Sequence, residues 1–243
     1  PRIVLPSLGL IPVAMLVGFM LYNLKTNLIF TTIFGLSLLT GLILLGNFVP
    51  IVIVNIGFLI WSIVLLIYCF FASVLPVNIL LQPRDYLSSF LLFAGVGFGY
   101  LGLFILNPKI NSSAYVSWKA QDGSLWPMLC VTIACGAISG FHSLIASGTS
   151  SKQISNEADA KKIGYGAMIA EGLVAVLAIL AVGAGLASKN LPIFLKEAGP
   201  VSLFGQGYSE ITRPVLGIYG GFIAITILNA FIHTTLDTAT RIS

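Results

Sequence analysis

Long, unbroken runs of apolar residues, separated by short polar stretches, fill this chain from end to end. A helix needs roughly 20 apolar residues to cross a hydrocarbon core. Seven runs reach that length, at about 8–24, 28–46, 52–75, 86–106, 125–147, 163–186 and 214–240. They are continuous and do not alternate, which predicts an all-α transmembrane bundle and argues against a barrel. Between them, surface loops are expected near 107–124, 148–162 and 187–211, where polar residues gather with Pro and Gly punctuation. Residues 1–243 thus read as a single transmembrane domain, with no internal repeat evident.

One run breaks the pattern. From Ile51 to Leu81 the chain is almost wholly apolar, about 31 residues, or roughly 46 Å as a straight helix, half again the thickness of the core. Pro76 and Pro83 close it in "SVLPVNILLQPRDYLSSF". A proline lacks the amide donor and crowds the preceding turn, so a break near Pro76 is expected, with the surplus forming a bent or re-entrant piece. Broken helices in transporters point to the substrate site, although a kink without function reads equally well. Further on, Ser155, Asn156 and Glu157 form a capping start for a short helix.

Composition sharpens the class. Only 8% of residues are charged, 57% are hydrophobic, and the mean hydropathy is +1.01, whereas a soluble domain carries about 25% charged residues. Such a chain cannot cover itself in water; it is an integral membrane protein with the lipid bilayer as its surroundings. A net charge of +4 gives no sign of a nucleic-acid partner. Cys69, Cys130 and Cys135 lie inside apolar runs, as packing residues would, and do not form a disulfide scaffold. Lys25, Arg84, Lys152, Lys161, Lys162 and Arg241 fall on one side of the expected topology. Arg2, Lys109, Lys119, Lys189, Lys196 and Arg213 fall on the other, which leaves orientation open but for a slight lean of the Lys25 side to the cytoplasm. The beginning does not have the form of a cleavable signal peptide. Starting at Pro1 and stopping just after Arg241, the chain is expected to be part of a longer protein.

Ionisable side chains at bilayer depth cost about 2.5–3.5 kcal/mol each and so ask for a reason. His142 shares a helical face with Cys135, Ser139, Ala146 and Thr149, beside a stripe of small residues, Gly136, Gly140, Ser143 and Ser147, that admits a neighbouring helix. A histidine there suits a proton-coupled step, or simply donates one hydrogen bond to a carbonyl. Glu171 lies about eight residues into its apolar run, on a face with Gly164, Ala167, Val174, Ala175 and Ala178. It is expected at a packed interface, as a proton carrier or as a buried hydrogen-bonding group. Asn229, His233, Asp237 and Arg241 are spaced four apart and form a third polar stripe, one that a solvated helix end also explains. Polar stripes on three helices suggest one shared cavity. Arg84-Asp85, after Pro83, is either an anion-binding pair or plain charge placement at a helix end.

Enzyme chemistry has little support. Two histidines and three scattered cysteines give no closed metal site. The G-x-S-x-G elbow is not present, and the last run has no lysine for a retinal Schiff base. No cofactor is implied.

Three windows carry a resemblance: "LPVNILLQPRDYLSSF" (75–90), "TIACGAISGFHSLIASGTSSKQISNEADAKKIGYGAMIAEG" (132–172) and "LDTATR" (236–241). Together they cover roughly a quarter of the chain and resemble the carbon starvation protein family, the CstA-type transporters. The resemblance implies a secondary active transporter importing peptides or small carboxylates such as pyruvate, driven by protons when carbon is scarce. It also implies a bacterial or archaeal inner-membrane location and a LeuT-like core of inverted repeats akin to the amino acid–polyamine–cation transporters. Family chains are longer and include N-terminal helices that this sequence lacks, which would be its partners in the fold. Carried onto this sequence, Pro76, Pro83, Arg84 and Asp85 shape and charge a break near the substrate. Gly140, His142, Ser143, Ser147 and Thr149 line its path, and Glu171, Asp237, His233 and His142 are candidates for the coupling proton. Asn78 and Ala239 depart from the family pattern, at positions expected to bear on substrate preference. The rival reading is a membrane sensor that binds a metabolite without moving it.

Overall fold

The computed structural model describes residues 4–48, 58–110, 115, 117–120, 123–138, 140–148, 150–186 and 191–228. Helices α1 (Val4–Tyr22) and α2 (Leu28–Phe48) lead to α3 (Phe58–Val74) and α4 (Leu81–Leu106). A two-stranded antiparallel ladder, β1 (Lys119–Ala120) with β2 (Gly123–Ser124), precedes α5 (Leu125–Ile138) and α6 (Gly140–Gly148). After a 3-10 turn at Ser150–Lys152 come α7 (Glu157–Gly185) and α8 (Leu191–Leu216); a second turn, Gly217–Tyr219, opens into a helix at 220–228.

Among the described residues, three helices are long and apolar enough to cross a membrane: Leu28–Gly46, Leu81–Leu106 and Glu157–Gly185. Their outer faces stay apolar and exposed, at Ile29, Phe30 and Ile33 on α2, Phe93, Phe104 and Ile105 on α4, and Met168, Ile169 and Ile179 on α7. Apolar surface on this scale marks faces that meet lipid or further protein and not water. Of the seven expected runs, six fall on helices where they are described, and the seventh is described only to residue 228.

Local signals place several ends as expected. Helix α3 stops at Val74, and the chain turns through Pro76, whose carbonyl accepts the Ile79 amide at 3.1 Å. Helix α4 then begins at Leu81, five residues before the expected 86. Pro83 does not break it, because a first-turn proline gives up an amide that has no intrahelical partner anyway. Asn107, with φ 42°, terminates α4 by donating its backbone N–H to the Leu103 carbonyl. At the start of α7 the Asn156 side chain accepts the Ala158 amide at 3.1 Å. The capping start is as expected, but the helix is not short: it runs on for 29 residues into the apolar segment. Asn156→Ala is expected to lower stability by about 1 kcal/mol, and Asn156→Asp to retain it, as read from thermal melting of the purified protein.

The expected surface loop at 187–211 is a correction. From residue 191 this stretch is α8, and Leu203, Tyr208, Ile211 and Thr212 are buried in it. The polar residues that made it look like a loop (Gln206, Ser209, Glu210, Arg213) lie on its other faces, and Arg213 pairs with Glu210 at 3.8 Å. Gly199, with φ 74°, breaks the helix, and Pro200 starts its second part. Likewise, the run expected from 214 begins as the end of α8 and its turn; 220–228 then folds back so that Gly220 and Gly221 pack on Ser209.

Two cores result. Leu10, Val13 and Val17 of α1 meet Leu39 of α2 and Leu87 of α4. Leu177 and Ala181 of α7 meet Tyr208 and Ile211 of α8, with Ala224 and, from α4, Val96 and Tyr100. The second core is drawn close by small residues. A Cβ at Gly207 would strike the Ala181 carbonyl, one at Gly185 the Gly207 carbonyl, and one at Gly102 the Ile211 carbonyl. Backbone therefore rests on backbone where α7 and α4 meet α8, the approach small residues permit in membranes.

Candidate functional site

At one end of the bundle, the polar groups of the α3–α4 junction converge on Arg84. Its side chain is 1% exposed, with Nη1 donating to the Tyr68 hydroxyl at 3.1 Å and Nη2 to Asp85 Oδ1 at 3.4 Å. The Asp85 side chain is 42% exposed and so keeps part of its hydration. One turn further, Ser88 is buried, and its hydroxyl makes no hydrogen bond among the described residues. Pro83 packs under Gly18 of α1. Tyr22 donates to Gln82 at 2.8 Å, and the hydroxyls of Thr32 and Tyr86 share a bond of 2.9 Å. These bonds fasten the start of α4 to the ends of α1, α2 and α3. Pro76 is exposed in the connecting turn.

Glu171 occupies a different place. A cavity of about 480 Å³ opens between α4, α7, α8 and 220–228. Leu92, Gly95 and Val96 form one wall, Ala167, Ala170, Val174 and Leu177 another, and Phe204, Tyr208, Ala224, Ile227 and Leu228 the rest. Glu171 is exposed on its α7 wall and supplies the lining's carboxylate. Here the expectation of a packed interface is corrected, and the cause is in the packing. The buried residues of α7, Leu177, Ala181 and Ala184, all lie beyond Glu171. Helix α7 is therefore clamped to α4 and α8 by its second half, and its first half diverges and opens a wedge. Two bonds define the narrow side: Tyr208 donates to the Gly95 carbonyl at 2.7 Å and Tyr100 to the Leu173 carbonyl at 2.9 Å. A second cavity of about 470 Å³ lies across α4, lined among others by Thr40, Leu44, Phe98, Tyr219 and Phe222; Gly95 borders both.

The other expected residues fall elsewhere. Gly140 opens α6, which carries His142, Ser143 and Ser147. Ser143 and Ser147 are exposed, and Ser147 donates to the Leu144 carbonyl at 3.1 Å. Helix α6 packs on α5 and on the Ser150–Lys152 turn. The His142 side chain, Thr149, Asn229, His233, Asp237 and Arg241 lie outside what is described. The structure thus brings Arg84 and Asp85 together but does not join them, or the α6 serines, to Glu171 in a shared cavity among the described residues. Sequence reasoning missed Tyr68, Tyr86 and Tyr208. The signal for the last was present: Gly95, Gly99 and Gly102 stripe one face of α4, and a large side chain must fill such a groove.

Comparison with known proteins places these features in a family. The family model described as "Carbon starvation protein CstA" matches residues 2–193, a span that includes Arg84, Asp85, His142 and Glu171 but not the closing segment 236–241. The pyruvate/proton symporter BtsT of Escherichia coli (strain K12) is 39% identical over 181 residues, 72% of this chain and 24% of the relative. The peptide transporter CstA of Bacillus subtilis (strain 168) is 37% identical over 184 residues, 71% of this chain and 31% of that one. That of Helicobacter pylori (strain J99) is 38% identical over 186 residues, 71% and 27% respectively. This chain spans 24–31% of the length of these relatives. No solved structure matches it. With its apolar helices and a family match over most of its length, the chain belongs to the carbon starvation protein CstA family.

Proposed function

We propose that this chain is part of a secondary active transporter of the inner membrane that imports peptides or small carboxylates such as pyruvate, coupled to protons, and that its work is transport and not catalysis. The supporting observation is Glu171, an ionisable group midway along a membrane-length helix, open to a cavity in an otherwise apolar wall. Relatives named for peptide transport and for pyruvate/proton symport supply the two substrate classes. In this reading the fold has about seven crossings within a LeuT-like bundle, the break at Pro76 being one of its discontinuous helices. Arg84 and Asp85, with Gly140, His142, Ser143, Ser147 and Thr149, belong to the substrate path. Glu171, Asp237, His233 and His142 are the groups able to carry the proton.

The test is uptake by the full-length protein in proteoliposomes, with labelled pyruvate and a pool of di- and tripeptides under an inward proton gradient. Accumulation of one class, abolished by an uncoupler, is expected. Uptake indifferent to the gradient, or binding without any uptake, would overturn the proposal.

A further inference from the structure

We infer that the cavity beside Glu171 is a subsite for a molecule that combines a primary ammonium group with an apolar body, and that the Glu171 carboxylate holds the ammonium. The inference rests on the transporter reading above and narrows its substrate class at this one site. Three features of the lining carry it.

The first is charge. Among the described residues the lining contains one carboxylate and no cationic side chain, and Glu171 forms no ion pair there. A small anion entering the wedge meets a like charge in an apolar setting, where repulsion is weakly screened. An ammonium meets its complement and brings three donors to an acceptor-only group.

The second is the lack, among the described lining residues, of other free side-chain hydrogen-bonding capacity. The other polar side chain of that lining, Tyr208, spends its hydroxyl proton on the Gly95 carbonyl. An uncharged polar molecule would lose water on entry and find few replacements, a net cost for every unpaired polar group.

The third is shape and surface. Leu92, Val96, Val174, Phe204 and Ile227 enclose about 480 Å³ with apolar side chains. This is within the span of roughly 300–1,000 Å³ typical of small-molecule sites, which are mostly apolar with a few polar groups that fix orientation. An aliphatic or aromatic body fills that space with the ammonium pointing to the α7 wall. A carboxylate holding the ammonium is not at that moment free for the coupling proton. With an amine bound, the proton therefore travels on another group.

The probe is L-leucinamide, which has the ammonium and the apolar side chain but no carboxylate, titrated calorimetrically into the full-length protein. N-acetyl-leucinamide, lacking the ammonium, and glycinamide, lacking the apolar body, are the comparisons. Leucinamide is expected to bind, each comparison to bind at least about tenfold more weakly, and Glu171→Gln to weaken leucinamide by a similar factor. Ala167→Phe fills the exposed mouth without changing charge and is expected to abolish leucinamide binding. Equal binding of leucinamide and its acetylated form, undiminished binding in Glu171→Gln, or displacement by detergent acyl chains alone would overturn the inference. So would no leucinamide binding at all. Uptake measured on the same preparation separates the two claims: transport without leucinamide binding overturns the subsite and leaves the transporter, and no uptake of either substrate class removes the transporter reading itself.

Discussion

Gly207→Leu is expected to separate α7 from α8 and to leave no folded protein. At this crossing a Cβ would run into the carbonyl of Ala181, and the reciprocal position, Gly185, faces the carbonyl of Gly207. A side chain that meets a flexible neighbour is relieved by a rotamer change; one that meets backbone moves a whole helix. Gly207→Ala is therefore expected to cost about 3 kcal/mol or more, at the upper end of the range for overpacking. Gly166, on the open half of α7, has nothing within 4 Å of an added Cβ. There Gly→Ala is expected to be neutral or to stabilise by up to about 1 kcal/mol, since alanine is the better helix former. Thermal melting of Gly207→Ala and Gly166→Ala beside the native protein reads the difference, and Gly207→Leu is read from the yield of folded protein; equal losses at 207 and 166 would mean that the close crossing is not what holds α8.

Arg84 is expected to respond in two opposite ways to two substitutions. Arg84→Ala removes a wholly buried side chain and leaves a void beneath Tyr68, for an expected loss of about 2–3 kcal/mol. The cost stays below that of stranding a fully buried charge, because Asp85 remains 42% exposed and keeps water when its partner goes. Arg84→Met refills most of the volume without charge and is expected to melt within about 1 kcal/mol of the native protein, since well-packed apolar replacements of buried ion pairs are often neutral. Uptake is expected to fall at least tenfold in Arg84→Met if the guanidinium serves the substrate path. A methionine variant that melts and transports normally would assign Arg84 to architecture alone.

The features legible in the sequence were those with a local cause. Pro76 ends α3 because of its own ring, Asn156 caps α7 with its own side chain, and the helices follow from unbroken apolar runs. What was not legible came from partners distant in the chain. Helix α8 read as a loop because Gly205, Gln206, Gly207 and Ser209 lower its local hydropathy, yet glycine is there so that α7 can come near. Glu171 was legible as a charge out of place; that it borders a wedge depends on where Leu177, Ala181 and Ala184 clamp the helix. Arg84 and Asp85 were legible as a pair, whereas the hydroxyl of Tyr68, sixteen positions away, was not.

Glu157 and Gly185 lie fourteen residues on either side of Glu171. The helix is about 43 Å long, more than a hydrocarbon core of about 30 Å, and its surplus is the charged opening stretch, where Lys162 and Asp159 pair at 3.6 Å. With that end in the headgroups, Glu171 lies about 8 Å inside the core on the Glu157 side. A position at that depth has an electrical address as well as a chemical one. Moving a unit charge across the whole membrane is worth about 2.3 kcal/mol per 100 mV, so a cation that stops at Glu171 has crossed about a quarter of that drop from the Glu157 side, or about three quarters from the other. Occupancy of the wedge is then set jointly by concentration and by the membrane potential, and the resting voltage of the cell becomes a term in the affinity of this site.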